Sequence, residues 1–443
     1  MTTARESEIL TRVGAGTPMG NMMRHYWLPA AKSSELIVDA EPMRFRLLGE
    51  DLIAFRDTSG RIGVMDHRCP HRCASLFFGR NEEGGIRCVY HGWKFDVDGN
   101  CLDMANVPPH QDFKHKVHAK AYKVAERNGL VWVYMGEREV APPLPLIEST
   151  LEPEADLEID FIQRDCNWLQ ALEGDIDTSH LGFLHLGAAP KQAYANGNID
   201  QNIVVNRSPE YIVEETPFGT TYGAYRPSED GGTYWRFAHF MFPCWTLPPI
   251  SVFENNVLAR AWIPLDDHHT MFILVANKNA RKRRPSQSFA NGKELVGTAT
   301  KDRYLPRTTD WLGRWNLADN RGNDHHIDRA VQRSQSYTGI DGIHLQDQAI
   351  TESMGPITDH TWEHLAPSDL PITRTRRRIL AAAQALAEHG AVPPGVDTPE
   401  EYRLQRGGSF VASADLDWRQ AYTQRIAQDV EPRLKKGQKT AAE

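Results

Sequence analysis

Two short words, Cys69-Pro-His71 and Cys88-Val-Tyr-His91, constrain this chain more than any other feature in it. Each pairs one cysteine with one histidine, and sixteen residues, 72 to 87, lie between them. A [2Fe–2S] cluster with two cysteines on one iron and two histidines on the other needs this ligand set. Each word then supplies one ligand to each iron, so two loops clasp the cluster from opposite sides. Zinc also accepts two cysteines and two histidines, but its sites usually group like ligands in C-x2–4-C and H-x3–5-H pairs. Mixed pairs in both loops favour the iron–sulfur cluster. His67, Cys73 and Cys101 stay outside the ligand set, the two cysteines as free thiols.

Around these words, residues 43–140 read as a small all-β unit. Strands are expected at 44–48, 52–55, 62–65 and 129–136, with tight turns at 57–60 and 98–99. Residues 141–145, Ala-Pro-Pro-Leu-Pro, read as a linker. Beyond it the pattern changes to helical spacing over 166–185, strands over 203–277, a solvated polar loop over 277–309, and a helix over 372–388. The expected fold is α+β. Residues 1–40 form an N-terminal segment, 41–145 the cluster domain and 146–443 a second domain of strands packed by helices. With six cysteines in 443 residues, a disulfide scaffold is not expected. The net charge of −8 argues against a nucleic-acid binder. The N-terminal residues have no apolar signal core, and no run is long enough to span a bilayer. The expected location is the cytoplasm, without membrane or nucleic-acid partners.

The second chemical signal is Asp177, His180 and His185. On a helix, Asp177 and His180 share a face, and Gly182 loosens the turn that brings His185 inward. Two histidines and one carboxylate on one face of Fe(II) leave positions open for O2.

Together the words CPHRCASLFFGRNEEGGIRCVYHGWKFDVDG, NWLQALEGDIDTSHLGFLH, WIPLDDHHTM and TGIDGIHLQDQAITESMGPITDH resemble the Rieske ring-hydroxylating oxygenases, catalytic subunit. The wording is most similar to the phthalate/phenoxybenzoate dioxygenase branch. Respiratory Rieske proteins carry an extra cysteine beside each loop; Tyr90 stands where one would fall, which fits the low-potential oxygenase type. The resemblance implies a Rieske [2Fe–2S] domain followed by a helix-grip (START-like) catalytic domain with an antiparallel sheet and helices. It implies a [2Fe–2S] cluster on Cys69, His71, Cys88 and His91. A mononuclear Fe(II) would sit on His180, His185 and Asp347, which is preferred over Asp341, Glu352 and Asp359. Asp177 would bridge to a cluster histidine of an adjacent chain in a homotrimer or in stacked trimers. Glu173 and Asp175 would support the site, or else cap the helix or face solvent.

No G-x-G-x-x-G fingerprint or flavin site is visible, so electrons from NADH must arrive through a separate flavin iron–sulfur reductase. The implied reaction hydroxylates an aromatic carboxylate with O2. Cis-dihydroxylation is expected; an O-demethylating monooxygenase and a non-catalytic electron carrier are the alternatives. A carboxylate substrate calls for an arginine. Arg207, Arg226, Arg236 and Arg260 are the candidates; the resemblance points to Arg207, on a strand, with Ser179, and the other three read more readily as surface charges. Members that bind phthalate place a second arginine near residues 240–245. Here that stretch holds Cys244 and no arginine, leaving room for isophthalate, a chlorobenzoate or a phenoxybenzoate. Phe183, Phe242 and Trp245 are candidates to line an apolar pocket.

Overall fold

The computed structural model describes residues 2–191, 201–282 and 302–440. Short alternating runs separated by glycine turns build the first part. Six antiparallel strands pair in the order Trp27–Lys32, Leu130–Tyr134, Ala121–Arg127, Ile62–Asp66, Glu50–Arg56 and Met43–Leu47. Trp27–Lys32 precedes residue 41, where the cluster domain was expected to begin, yet it extends this sheet. A smaller four-stranded sheet, Arg80–Glu82, Gly85–Arg87, Trp93–Phe95 and Cys101–Met104, projects from it.

The second part is built on an eight-stranded antiparallel sheet. Its order is Leu157–Arg164, Thr270–Asn277, Leu258–Pro264, Trp245–Leu247, Thr233–Met241, Gly219–Pro227 and Glu210–Thr216, with Gly408–Ala412 added to Thr233–Met241. The helix Leu370–His389 packs on the strands Glu210–Thr216 and Gly219–Pro227. It ends where Gly390 takes a left-handed backbone, φ 65°. An antiparallel sheet holding a long helix is the helix-grip arrangement expected.

The two parts share one core. All five side chains of Leu130–Tyr134 are buried, so this strand reads as a continuous apolar run rather than an alternating one. Trp132 stacks on Trp245 with ring centroids 5.7 Å apart. A second, smaller core of Ile53, Phe55, Met65, Leu76, Ile86 and Phe95 encloses Cys69 and Cys88. No disulfide joins the six cysteines. Among the described residues, no helix is long and apolar enough to cross a membrane.

Several expectations change at this level. The strands expected from 203 begin at Glu210, which pairs with Tyr225, and Gln201–Val205 is a short helix. Lys278–Lys282 is helical, where loop was expected. Residues 283–301 of the expected loop, Arg283 and Arg284 among them, lie outside the described residues.

Candidate metal centres and active site

The two Cys/His words fold into loops of one kind. The Cys73 amide donates to the Cys69 carbonyl at 2.9 Å, and the Gly92 amide donates to the Cys88 carbonyl at 2.9 Å. Both closing residues are left-handed, Cys73 at φ 59° and Gly92 at φ 77°. At 92 only glycine fits, since a Cβ would lie 2.8 Å from that of Ala105. Cys69 and Cys88 are 1% and 3% exposed, whereas His71 and His91 are half-buried at the rim. The imidazoles meet edge to face at 4.4 Å, and Trp93 stacks flat on His71 at 4.4 Å. Burial pushes the Cys69 thiol up to about 12. Two buried sulfurs on one side and two imidazoles on the other fit a cluster that supplies the countercharge the apolar pocket lacks. His91 Nδ1 is buried without a hydrogen-bond partner, the orphaned nitrogen expected of a ligand that would face a cluster iron.

The second centre is built by three short elements. The helix Trp168–Ile176 is started by Asn167, whose side chain accepts from the Leu169 amide at 3.1 Å. It ends at Asp177, whose backbone is extended (φ −85°, ψ 101°). Asp177 and His180 therefore do not share a helix face as expected. Instead the Asp177 carboxylate folds the chain into an Asx turn, accepting from the Ser179 amide at 2.8 Å and the Ser179 hydroxyl at 2.7 Å. This turn sets the Asp177 Oδ2 3.5 Å from His180 Nδ1. A single helical turn, His180–Gly182, then leads to His185.

Asp347 arrives from the helix Ile343–Ser353. His180 Nε2 and His185 Nε2 are 3.2 Å apart, and Asp347 Oδ1 lies 3.5 Å and 3.1 Å from them. A metal bonded at ~2.1 Å to each of three donors at right-angle to tetrahedral openings would hold them ~3.0–3.4 Å apart. The triangle therefore fits one ion with a 2-His-1-carboxylate face. The rival carboxylates are elsewhere: Asp341 and Asp359 are exposed, and Glu352 is turned to the Asp165 amide at 2.9 Å.

The electrostatics suit an Fe(II) site. Burial alone would raise the Asp347 carboxyl, but His185 and His180 outweigh it and hold it well below the usual carboxylate range. Burial opposes protonation of His180, but Asp177 and Asp347 overcome it and raise the imidazole. His185 Nδ1 faces Gln346 Oε1 at 2.7 Å, while Gln346 Nε2 donates to the Ile340 carbonyl at 2.8 Å. That chain makes Nδ1 the protonated nitrogen and leaves Nε2 free to bind metal. Gln346 was missed in the sequence, although it sits beside Asp347; an acceptor next to the third carboxylate was the available signal.

The supporting acids are neither caps nor solvent-facing. Glu173 is buried against Arg376, with Nη2 donating at 2.6 Å. Asp175 is buried against Arg260, Thr246 and Trp262. Arg260 is thereby consumed, and Arg226, Arg236 and Arg260 are not surface charges: Arg226 and Arg236 are 2% and 5% exposed. Each lies on a strand whose inward face the local alternation did not reveal. Arg207 stands in the loop after Gln201–Val205, not on a strand. Its Nη2 donates to the Gly187 carbonyl at 3.2 Å and its guanidinium lies 5.5 Å from the Phe183 ring. Phe183 is half exposed beside it. Phe242 and Trp245 do not line this site; Phe242 stacks on Tyr26 and Trp245 on Trp132, inside the shared core.

A Rieske [2Fe-2S] domain model matches residues 26–122, and a model described as LigXa C-terminal domain like matches residues 133–441. The 3-chlorobenzoate-3,4-dioxygenase oxygenase subunit of Comamonas testosteroni is 49% identical, over 96% of this chain and 99% of that protein. The phthalate 4,5-dioxygenase oxygenase subunit of Pseudomonas putida is 37% identical, over 95% and 94%. Dicamba monooxygenase bound to 3,6-dichlorosalicylic acid shares the fold, with a TM-score of 0.54 at 16% identity over 83% of this chain and 100% of that one. The chain belongs to the Rieske non-haem iron ring-hydroxylating oxygenases, as an oxygenase subunit of the branch that contains the phthalate and phenoxybenzoate dioxygenases. As such it is an enzyme with a Rieske cluster and a mononuclear iron, and it draws electrons from a reductase.

Proposed function

We propose that this protein hydroxylates an aromatic carboxylate of the chlorobenzoate, phthalate, isophthalate or phenoxybenzoate type, by cis-dihydroxylation, in the cytoplasm. The observation that carries the reading is the His180–His185–Asp347 triangle, 3.1 to 3.5 Å on a side, in a chain that also holds the two Cys/His loops. Cys69, Cys88, His71 and His91 hold the cluster, and His180, His185 and Asp347 hold the iron. When bound, the two centres supply single electrons and O2 activation. Asp177 accepts from Ser179 and lies beside His180 Nδ1, which leaves its outer edge free to meet a cluster histidine of an adjacent chain. Exposed Val89 and Tyr90 flank His91 and suit that contact, in a homotrimer or stacked trimers. Ser179 and Arg207 stand next to the iron histidines, where they orient a carboxylate. A flavin iron–sulfur reductase passes the electrons of NADH.

The test is oxygen uptake by the iron-loaded protein with a compatible reductase and 3-chlorobenzoate, followed by product analysis. A cis-dihydrodiol is expected. A phenol with an aldehyde would make it an O-demethylase, and uptake without any organic product across a panel of aromatic acids would overturn the substrate class. Asp347→Ala should abolish product and remove the mononuclear iron, while the cluster's own iron and visible absorbance persist.

A further inference from the structure

Beside the cluster loops, residues 110–120 hold three lysines and three histidines against one aspartate, in a chain whose net charge is −8. Two short helical turns, Pro109–Gln111 and Lys114–Lys116, carry this segment over the surface. His110, Lys114, His115, Lys116, His118 and Lys120 are all exposed. Asp112 answers Lys114 at 3.2 Å and Glu50 answers Lys120 at 2.6 Å, while Lys116 has no ion-pair partner among the described residues. The nearby acid Asp103 is already held by Arg87 at 2.7 Å. The patch is therefore basic on a chain that is acidic as a whole.

A charge run alone is usually a solvated face, but this one has an apolar centre that leads to the cluster. Phe113 is 41% exposed and meets Trp93 edge to face, with ring centroids 5.9 Å apart. Trp93 stacks on His71 at 4.4 Å, the two rings within 12° of parallel. Three rings thus run from the surface to a cluster ligand in two contacts. Trp93 is fixed by its Nε1, which donates to Asn106 Oδ1 at 2.8 Å. Val107 and Val117 anchor the segment by packing on the core around Cys69 and Cys88. Leu102, 39% exposed, adds to the apolar centre from the strand Cys101–Met104, on which Lys114–Lys116 packs. A small apolar centre inside a charged rim is the make-up of a protein-docking surface. His91 has different company: Tyr90 lies 3.9 Å from it, on the edge that meets the adjacent chain in the proposed assembly.

Resting on the reading that a separate iron–sulfur reductase supplies the electrons, we propose that residues 110–120, centred on Phe113, are the docking surface for that donor, an iron–sulfur domain with an acidic face. Electrons then enter on the His71 side and leave on the His91 side. Each encounter moves one electron: the donor's reduced centre is oxidised by one, the Rieske cluster is reduced by one, and no bond is made or broken. The charge acts twice. It draws an anionic partner over about 8–10 Å, the screening length at ordinary salt. It also orients that partner, because the chain as a whole repels it. Phe113 supplies the desolvated contact that holds the donor beside Trp93.

The probe is reduced plant-type [2Fe–2S] ferredoxin, a one-electron donor of lower potential than a Rieske cluster. Wild type, Lys114→Gln/Lys116→Gln, Phe113→Ala and a remote control, Arg419→Gln/Lys435→Gln, are compared as loaded holoenzymes; Arg419 and Lys435 are exposed on the second part. Stopped-flow absorbance gives the second-order rate of cluster reduction at several salt concentrations, and calorimetry gives the affinity for oxidised ferredoxin. Lys114→Gln/Lys116→Gln should lower the rate about 10-fold at low salt and flatten its fall with salt. Phe113→Ala should weaken binding about 10-fold with the salt slope unchanged. The control should match wild type. The cluster's spectrum, and its reduction by photoreduced deazariboflavin, which has no protein surface to dock, should be the same in all four. A rate and salt slope unchanged in the lysine variant, or altered as much in the control, overturns the docking site. A lysine variant of smaller mass than wild type by light scattering would make the segment a contact between copies, which also overturns it. Wild type that takes electrons from deazariboflavin and none from ferredoxin would remove the iron–sulfur donor itself, so the two failures are distinguishable.

Discussion

Gly92 and Cys73 occupy matching positions in two loops, and their chemistry differs. Gly92 takes a left-handed backbone at no steric cost, whereas Cys73 does so with a side chain, against a penalty of about 1 kcal/mol. Cys73 is exposed and closes its loop through its amide alone. Cys73→Gly should therefore leave iron and sulfide content unchanged, with stability altered by less than about 1 kcal/mol as relief of strain offsets the added chain entropy. Gly92→Ala should strip most of the cluster, because its Cβ collides with Ala105 and displaces His91. Iron assays and visible absorbance on both variants check this; a cluster lost in Cys73→Gly would make that thiol a ligand. At this scale the candidate ligands were legible in the sequence, since residue type and spacing are local. The arginines were not, because one residue's inward or outward direction depends on which strand it pairs with.

The strand Thr233–Met241 shows what an element adds. His239 sits on it, fully buried, between the Thr221 hydroxyl (2.8 Å), the Arg406 carbonyl (3.1 Å) and the Tyr422 hydroxyl (2.9 Å). It ties the C-terminal segment to the sheet. Burial lowers its pKa to about 4. The sign follows directly: the unfolded chain takes up a proton near pH 6.5, while the folded one resists until about pH 4. Stability is thus full above pH 6.5 and falls through this window by about 3 kcal/mol. Denaturant melts at pH 7 and pH 4.5 should show the loss, and His239→Gln should flatten it; equal slopes for the two proteins would remove His239 as the cause. The iron loop makes the same point about elements. Helical spacing continues through Asp177 and His180 in the sequence, but the Asx turn takes the Asp177 carboxylate and stops the helix at Ile176. Competition between a side chain and the backbone for the same amides is decided locally, and periodicity does not register it.

For the whole molecule, His71 and His91 lie half-buried at a rim next to exposed Val89 and Tyr90, and the proposal that a cluster serves the iron of an adjacent chain is tested at this scale. Co-expressing His91→Ala chains with Asp347→Ala chains, each inactive alone, should restore activity in the mixed assembly, because one chain's cluster then serves its neighbour's iron. No activity in isolated mixed oligomers would confine electron transfer to a single chain.

Spacing of cysteine and histidine, the alternation of short strands and the run of motifs from 69 to 360 pointed to a [2Fe–2S] cluster, a mononuclear iron and an α+β chain before any coordinate. These are properties of neighbouring residues. The meeting of His180 and His185 with Asp347, more than 160 positions later, was named only through resemblance; the approach to 3.1 Å is made by packing of the helix Ile343–Ser353. The buried state of Arg226, the pairing of Asp175 with Arg260 and the burial of Phe242 and Trp245 in the shared core also came from the tertiary structure. Burial and partnership belong to a surface that exists only after distant strands have paired, and a linear pattern carries no record of it.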